Sequence, residues 1–294
     1  MAEQTTSRAH RTMKDDALKP STIVALGGGG FSMSESGTSA IDDYLLQLAD
    51  TVHSRRTVHS RRSTEVNRRR GGGELPRVCF VPTASGDNPD YIHRFEAAFA
   101  GLAETSVLSL FGQSPWGYQD PKLLLNMDLI YVGGGSTANL LTLWRDHGVD
   151  DLMALAASRG TILAGIIAGA NCWFEASSTD SFGPLAPLND GFGLIPGSAC
   201  PHYHGEPGRV ETFRTWIEAG QLPGPGLAID DHAGVVFENF RATSVIAEKS
   251  EAHAYVVDGR GETRLDAGGD SGVDSDPVTG PDTHAGTVPR QVLR

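Results

Sequence analysis

Short apolar runs recur along the chain, each closed by glycine or a polar turn, and apolar residues at helical spacing lie between several of them. Thr22-Ile23-Val24-Ala25-Leu26 comes first and ends in Gly27-Gly28-Gly29-Gly30. Arg77 to Val81, Thr105 to Leu110, Asp128 to Val132 and Thr161 to Ala164 repeat the pattern of a β-rich run followed by small or polar residues. Between them, Ile41 to Leu48 behind Ser39 as its cap, Tyr91 to Leu102, Leu123 to Met127, Ala138 to Trp144 and Asp150 to Ala157 read as helices. In the second of these, Ile92, Phe95, Phe99 and Leu102 share one face. Strands that alternate with helices predict an α/β three-layer sandwich, a mostly parallel central sheet with helices on both faces. Farther on, the runs shorten. Val210 to Glu218 reads as a helix, whereas Gly226 to Ile229, Gly234 to Phe237, Thr243 to Ile246 and Ala254 to Val257 follow one another as short strands. Their spacing predicts a short antiparallel extension of the same sheet.

The two ends fall outside this pattern. Residues 1–20 are polar and mixed in charge, without the apolar centre of a signal peptide. Residues 259–294 are mostly Gly, Asp, Thr and Pro with few large apolar side chains. Both are expected to be disordered, a leader and a tail around a single domain at 21–258. Inside that domain Thr51-Val52-His53-Ser54-Arg55-Arg56 is repeated as Thr57-Val58-His59-Ser60-Arg61-Arg62, and Arg68-Arg69-Arg70 and Gly71-Gly72-Gly73 follow. An Arg-rich block can mark a phosphate patch. A tandem duplication in an exposed loop is the favoured reading, because lengthening a surface loop costs little; residues 51–74 are taken as such an insertion.

Composition narrows the classes. A chain of 294 residues with 39% hydrophobic content is ample for a real core. A net charge of −12, from 36 acidic against 24 basic residues, argues against a nucleic-acid partner, whose affinity comes mostly from neutralising phosphates. No apolar stretch is long enough to span a bilayer, so no membrane partner and a cytoplasmic location are expected. Cys79, Cys172 and Cys200 are widely spaced, with no CxxC pair, and are expected to be buried free thiols. The glycine run at 27–30 lacks the GxGxxG pattern of a dinucleotide site, and no cofactor is expected.

In open α/β sheets ligands lie beyond the carboxyl ends of the strands. Three glycine-rich or small-residue loops converge on that edge, at 27–30, 133–135 and 165–170. The last follows the buried run Thr161 to Ala164 and opens a helix: Gly165-Ile166-Ile167-Ala168-Gly169-Ala170-Asn171-Cys172-Trp173-Phe174. Strand, tight turn of small residues, then helix is the layout of a nucleophile elbow, in which a Ser or Cys stands exposed at the tip. Here the tip position holds Ile167.

Gly133-Gly134-Gly135-Ser136-Thr137, the elbow segment, Thr179-Asp180-Ser181-Phe182-Gly183, Pro201-His202-Tyr203 and Ala228-Ile229-Asp230-Asp231 together resemble the dipeptidase E and cyanophycinase family of serine peptidases. The resemblance covers residues 22–258. It implies a class-I glutamine-amidotransferase-like α/β sandwich, Ser-His-acid hydrolysis of short aspartyl peptides and a short peptide as partner; it leaves a homodimer open. The family elbow is Gly-x-Ser-Ala-Gly-Ala. Gly165, Ala168, Gly169 and Ala170 match it, and its Ser falls on Ile167. The family's general base falls on His202, and the oxyanion amides on Ala168 and on Gly134 or Gly135. Asp230 and Asp231 are the nearest acids for the third member, while the position aligned with the acid of dipeptidase E holds Ala233. The sequence identifies no basic group for a substrate carboxylate.

Ile167 decides how far that implication reaches. Isoleucine offers no nucleophilic atom, and loss of the nucleophile in such enzymes leaves roughly 10³–10⁴-fold over water. A β-branched residue at positive φ is also a backbone outlier. The turn is therefore expected either to relax to negative φ or to be held by packing in an unchanged frame. Cys172, five positions on, is expected to face the core beside Trp173, and Ser136 and Thr137 to support backbone or ligand rather than to attack. Two other readings stay open. One is a non-catalytic pseudopeptidase that binds a peptide or carboxylate. The other is a metal-assisted hydrolase with His202 and His204, aided by His232 and Asp230 or Asp231, around zinc or manganese. For the histidines a base plus a surface residue is favoured over a metal. A glutamine amidotransferase needs Cys at the tip and is excluded.

Overall fold

The computed structural model describes residues 21–35, 37, 39–61, 74–265 and 288–293. In its first half the chain forms β1 (Thr22–Leu26), α1 (Gly30–Met33), α2 (Ala40–Arg61), β2 (Arg77–Val81), α3 (Pro89–Phe99), β3 (Glu104–Val107), β4 (Leu129–Val132), α4 (Thr137–His147), α5 (Val149–Ser158) and β5 (Ile162–Ile166). There follow α6 (Ala168–Asn171), β6 (Phe174–Thr179), β7 (Ala186–Leu188), β8 (Ile195–Cys200), α7 (Arg209–Glu218) and β9 (Gly226–Ile229). The remaining strands are β10 (Ala233–Glu238), β11 (Arg241–Ala247), β12 (Ala254–Asp258), β13 (Gly261–Arg264) and β14 (Arg290–Val292).

The larger sheet runs β14-β11-β10-β1-β5-β4-β2-β3. Its centre from β1 to β3 is parallel, with β10 antiparallel to β1 and β11 antiparallel to β10. Apart from the edge strand β3, the parallel strands are apolar on both faces because both are covered. Alternate residues of one strand serve different layers: Val24 and Leu26 pack with Phe80, Ile41, Leu45, Phe95 and Phe99 under α2 and α3. Ile23 and Ala25 pack with Val81, Leu140, Trp144 and Met153 under α4 and α5. Helix ends follow the local sequence. Asn88 caps α3 by accepting the Tyr91 N–H at 3.0 Å, with Pro89 in the first turn. Ser136 caps α4 by accepting the Asn139 N–H at 3.3 Å, and Gly148 closes it in the left-handed conformation.

A second sheet, β13-β12-β9-β8-β6-β7, stacks beside α4 and α5 and carries α7 on its far face. It corrects one expectation. β10 and β11 do extend the main sheet antiparallel, but β9 and β12 belong to this separate sheet, where β12 is antiparallel to β9 and β6, β8 and β9 are parallel. Its strands escape the hydropathy pattern because β6 (FEASST) and β8 (IPGSAC) are built from small and hydroxyl residues.

Two further expectations change. Residues 51–61 are not a loop: α2 continues through the first TVHSRR copy and into the second. His53 and Arg56, three residues apart and so on one helix face, reach the fully buried carboxylate of Asp128 at 2.9 Å and 3.0 Å. Arg77 adds its backbone N–H at 3.0 Å and its guanidinium at 3.4 Å. Burial alone would raise Asp128; these donors overrule it and hold the carboxyl below its ordinary range. Nor is 259–294 wholly without structure, since β13 forms a hairpin with β12 and β14 pairs in parallel with β11. Residues 1–20, 62–73 and 266–287, including the Arg68-Arg69-Arg70 block, lie outside the described residues.

Candidate active site

Strand register brings the small-residue loops to one edge. Leu26 pairs with Ile166, and Val132 pairs with Gly165, so the loops after β1, β4 and β5 emerge side by side. Close approach at the elbow depends on glycine: a Cβ on Gly165 would lie 2.0 Å from the Gly169 carbonyl oxygen. Ile167 stands at the tip with φ 58° and ψ −109°. Its N–H donates to Leu26 O at 3.1 Å, and its carbonyl accepts from Ala170 and Asn171 at 3.0 and 2.9 Å. The elbow is thus unrelaxed, in a conformation that costs a β-branched residue about 1–3 kcal/mol. Packing holds it: the side chain is half-buried against the α2–α3 layer and lies over Gly134, where a Cβ would be 3.1 Å from Ile167 Cδ1.

His202 follows β8 in a left-handed conformation, φ 53°, and donates its N–H to Gly27 O at 3.3 Å. Its Nδ1 lies 2.6 Å from Asp231 Oδ1. The neighbouring Asp230 turns elsewhere, to His204 Nδ1 at 2.7 Å and to the His253 N–H at 3.0 Å. The two acids left open by the sequence therefore form separate pairs, and Asp231 is the one against His202. Ala233 is buried at the start of β10.

The histidines named in the metal-assisted reading take separate carboxylates. His202 and His204 each direct Nδ1 to their own aspartate, and His232 turns its Nδ1 to Glu248 at 3.1 Å. Among the described residues no group of three His, Cys, Asp or Glu side chains is arranged to hold a metal ion.

The amides separate as well. Gly134 N–H donates to the buried Tyr91 hydroxyl at 3.2 Å, so it is not free for a ligand. Gly135 (φ 135°) and Ala168 find no backbone acceptor among the described residues. Gly135 has no room for a side chain, since a Cβ there would sit 2.2 Å from Ala84 O. Ser136 caps α4, and Thr137 Oγ1 accepts from Asn171 Nδ2 at 3.3 Å, the supporting roles expected of both. Cys172 is fully buried with its thiol on Gly169 O at 3.1 Å, and burial pushes the thiol well above its ordinary range. All three cysteines are free and buried.

Two groups went unseen in the sequence because they meet the site only through tertiary contact. Glu206 Oε1 stands 4.0 Å from His202 Nε2, and Glu206 Oε2 accepts from Arg209 Nε at 2.6 Å. The Arg209 side chain is 3% exposed and also lies 3.8 Å from Asp180.

The model of peptidase family S51 matches residues 51–245. The chain is 41% identical over 236 residues to the uncharacterized peptidase YgaJ of Bacillus subtilis (strain 168), covering 80% of this chain and 91% of that one. It is 30% identical over 169 residues to peptidase E of Streptomyces coelicolor, covering 53% of this chain and 67% of that one. The crystal structure of a peptidase from an acI-B1 Actinobacterium superposes with a TM-score of 0.57 over 83% of this chain and 93% of that one; at 16% identity it speaks for the fold. Elbow, histidine motif and sandwich thus converge with these matches on one conclusion: the chain belongs to peptidase family S51.

Proposed function

We propose that this chain is a peptidase-family binding frame for short acidic peptides, in which acyl transfer is arrested at the nucleophile position and returns when a hydroxyl is restored there. One observation carries the reading: Ile167 occupies an unrelaxed elbow tip (φ 58°), while His202 and Asp231 stay paired at 2.6 Å. A frame that had lost its chemistry long ago has no reason to keep both a strained turn and an imidazole paired with a carboxylate.

In the restored frame a serine at 167 attacks the scissile carbonyl and His202 Nε2 takes its proton. Asp231 holds the imidazole by Nδ1, and the Gly135 and Ala168 amides receive the oxyanion. The imidazolium then protonates the leaving amine, and water attacks the acyl-enzyme by the same base. With Ile167 the first of these steps has no attacking atom, although the His202–Asp231 pair and the Gly135 and Ala168 amides remain. Arg209, joined through Glu206 to the Nε2 face of His202, is the guanidinium to test as the partner of a ligand carboxylate.

The test compares native protein and Ile167→Ser on a panel of aspartyl dipeptides, by turnover and by equilibrium dialysis. Binding by both with robust turnover only in Ile167→Ser is the expected result. Equal turnover in both would show that 167 is not the tip, and absence of binding in both would overturn the binding frame.

A further inference from the structure

We infer that Gly28 and Gly205 are positioning residues of the His202–Asp231 pair, the carboxylate being held toward the imidazole between two Cα atoms that carry no side chain. A Cβ on Gly28 would lie 2.0 Å from Asp231 Oδ1 and 3.0 Å from its Cγ. One on Gly205 would lie 2.2 Å from Asp231 Oδ2 and 3.1 Å from Cγ. Each carboxylate oxygen is therefore walled by a different loop, one following β1 and the other following His202. Neither glycine has a positive φ, so backbone freedom does not explain its presence. What remains is space.

The walls are tied to the groups they position. Gly28 O accepts the His232 N–H at 3.0 Å, next to Asp231 in the chain. Gly27 O accepts the His202 N–H at 3.3 Å, and the Gly205 N–H donates to His202 O at 3.0 Å. The Asp231 side chain is 23% exposed, so it has somewhere to go when crowded. A methyl group at either wall pushes the carboxylate outward, toward solvent and off Nδ1, with little strain on the fold. The glycines thereby act on His202 through Asp231. This assignment rests on the reading of His202 as base and Asp231 as its orienting acid, but its first test does not depend on turnover.

Gly28→Ala and Gly205→Ala are made in the full chain, with Gly112→Ala as control, a glycine with no neighbour within 4 Å of an added Cβ. The first readout is the low-field proton resonance of His202 Nδ1–H, assigned by its loss in His202→Gln. It should be present in native protein and in Gly112→Ala, and lost or moved upfield in the other two, with melting temperatures close to native. An unchanged resonance in both wall variants, or none in the native protein, overturns the inference.

The second readout is turnover in the Ile167→Ser background, where a displaced orienting group should lower kcat by roughly 10–100-fold. An inactive Ile167→Ser chain would count against the proposed function and leave the resonance test standing. Should a wall variant fail to fold, Asp231→Ala is added. Removal of the carboxylate should rescue it, and equal failure with and without Asp231 would overturn the inference.

Discussion

Replacing Asp42 by Asn should change how stability depends on pH, with the sign opposite to that of an ordinary carboxylate. Asp42 sits in the first turn of α2, 5% exposed. One oxygen accepts the Phe31 N–H at 2.5 Å, and the other faces the Tyr131 hydroxyl across the space that Gly30 leaves open. Burial is the main force on it and raises its pKa from 3.8 to about 7; Glu248 adds to the rise, and the Phe31, Ser39 and Tyr131 contacts offset part of it. The folded state therefore holds this proton more tightly than the unfolded chain. The stability so conferred is complete below 3.8 and is lost as pH rises through about 7. At ~1.4 kcal/mol for each pH unit of difference the full loss is about 4 kcal/mol. Asparagine still accepts from Phe31 but carries no charge. Urea unfolding followed by tryptophan fluorescence gives the free energy of each protein across the range. Between about pH 5 and 8 the native protein should lose about 2.5 kcal/mol relative to Asp42→Asn. Parallel curves, or a native protein that gains on the variant as pH rises, would refute the assignment.

Two other outcomes follow from buried groups. Asp128→Ala leaves His53, Arg56 and Arg77 without their shared carboxylate and should cost about 3–5 kcal/mol in chemical unfolding; a cost below about 1 kcal/mol would contradict a structural role for this node. Burial pushes Cys79 and Cys200 up to about 12 and Cys172 well above its ordinary value, so a thiol reagent should label the native protein orders of magnitude more slowly than the unfolded one. Labelling of any one thiol ahead of global unfolding would show local opening at that element.

Local chemistry made much of the architecture legible. The parallel core announced itself through runs such as Thr22–Leu26 and Ile162–Ile166, buried on both faces and hence apolar throughout. The second sheet stayed hidden because Phe174–Thr179 and Ile195–Cys200 are mostly small or polar, and their pairing is set by neighbours far along the chain. The TVHSRR duplication looked like a loop because nothing within it reveals Asp128, which lies 75 residues beyond His53 and supplies the buried partner that fixes that helix face.

By itself the sequence determined the alternation of strands and helices in the main sheet, the glycine-rich loops that close its strands and the elbow segment with Ile167 at its tip. These are properties of neighbouring residues, whereas His202 as the base was implied by the family resemblance. Tertiary structure alone decided which of two adjacent aspartates serves His202, that Gly134 spends its N–H on Tyr91, and that Glu206 and Arg209 stand beside the base. It also decided that Ile167 keeps φ 58°. A hydrogen bond or a strained turn depends on ångström distances between segments remote in sequence, and only the packed chain sets those distances.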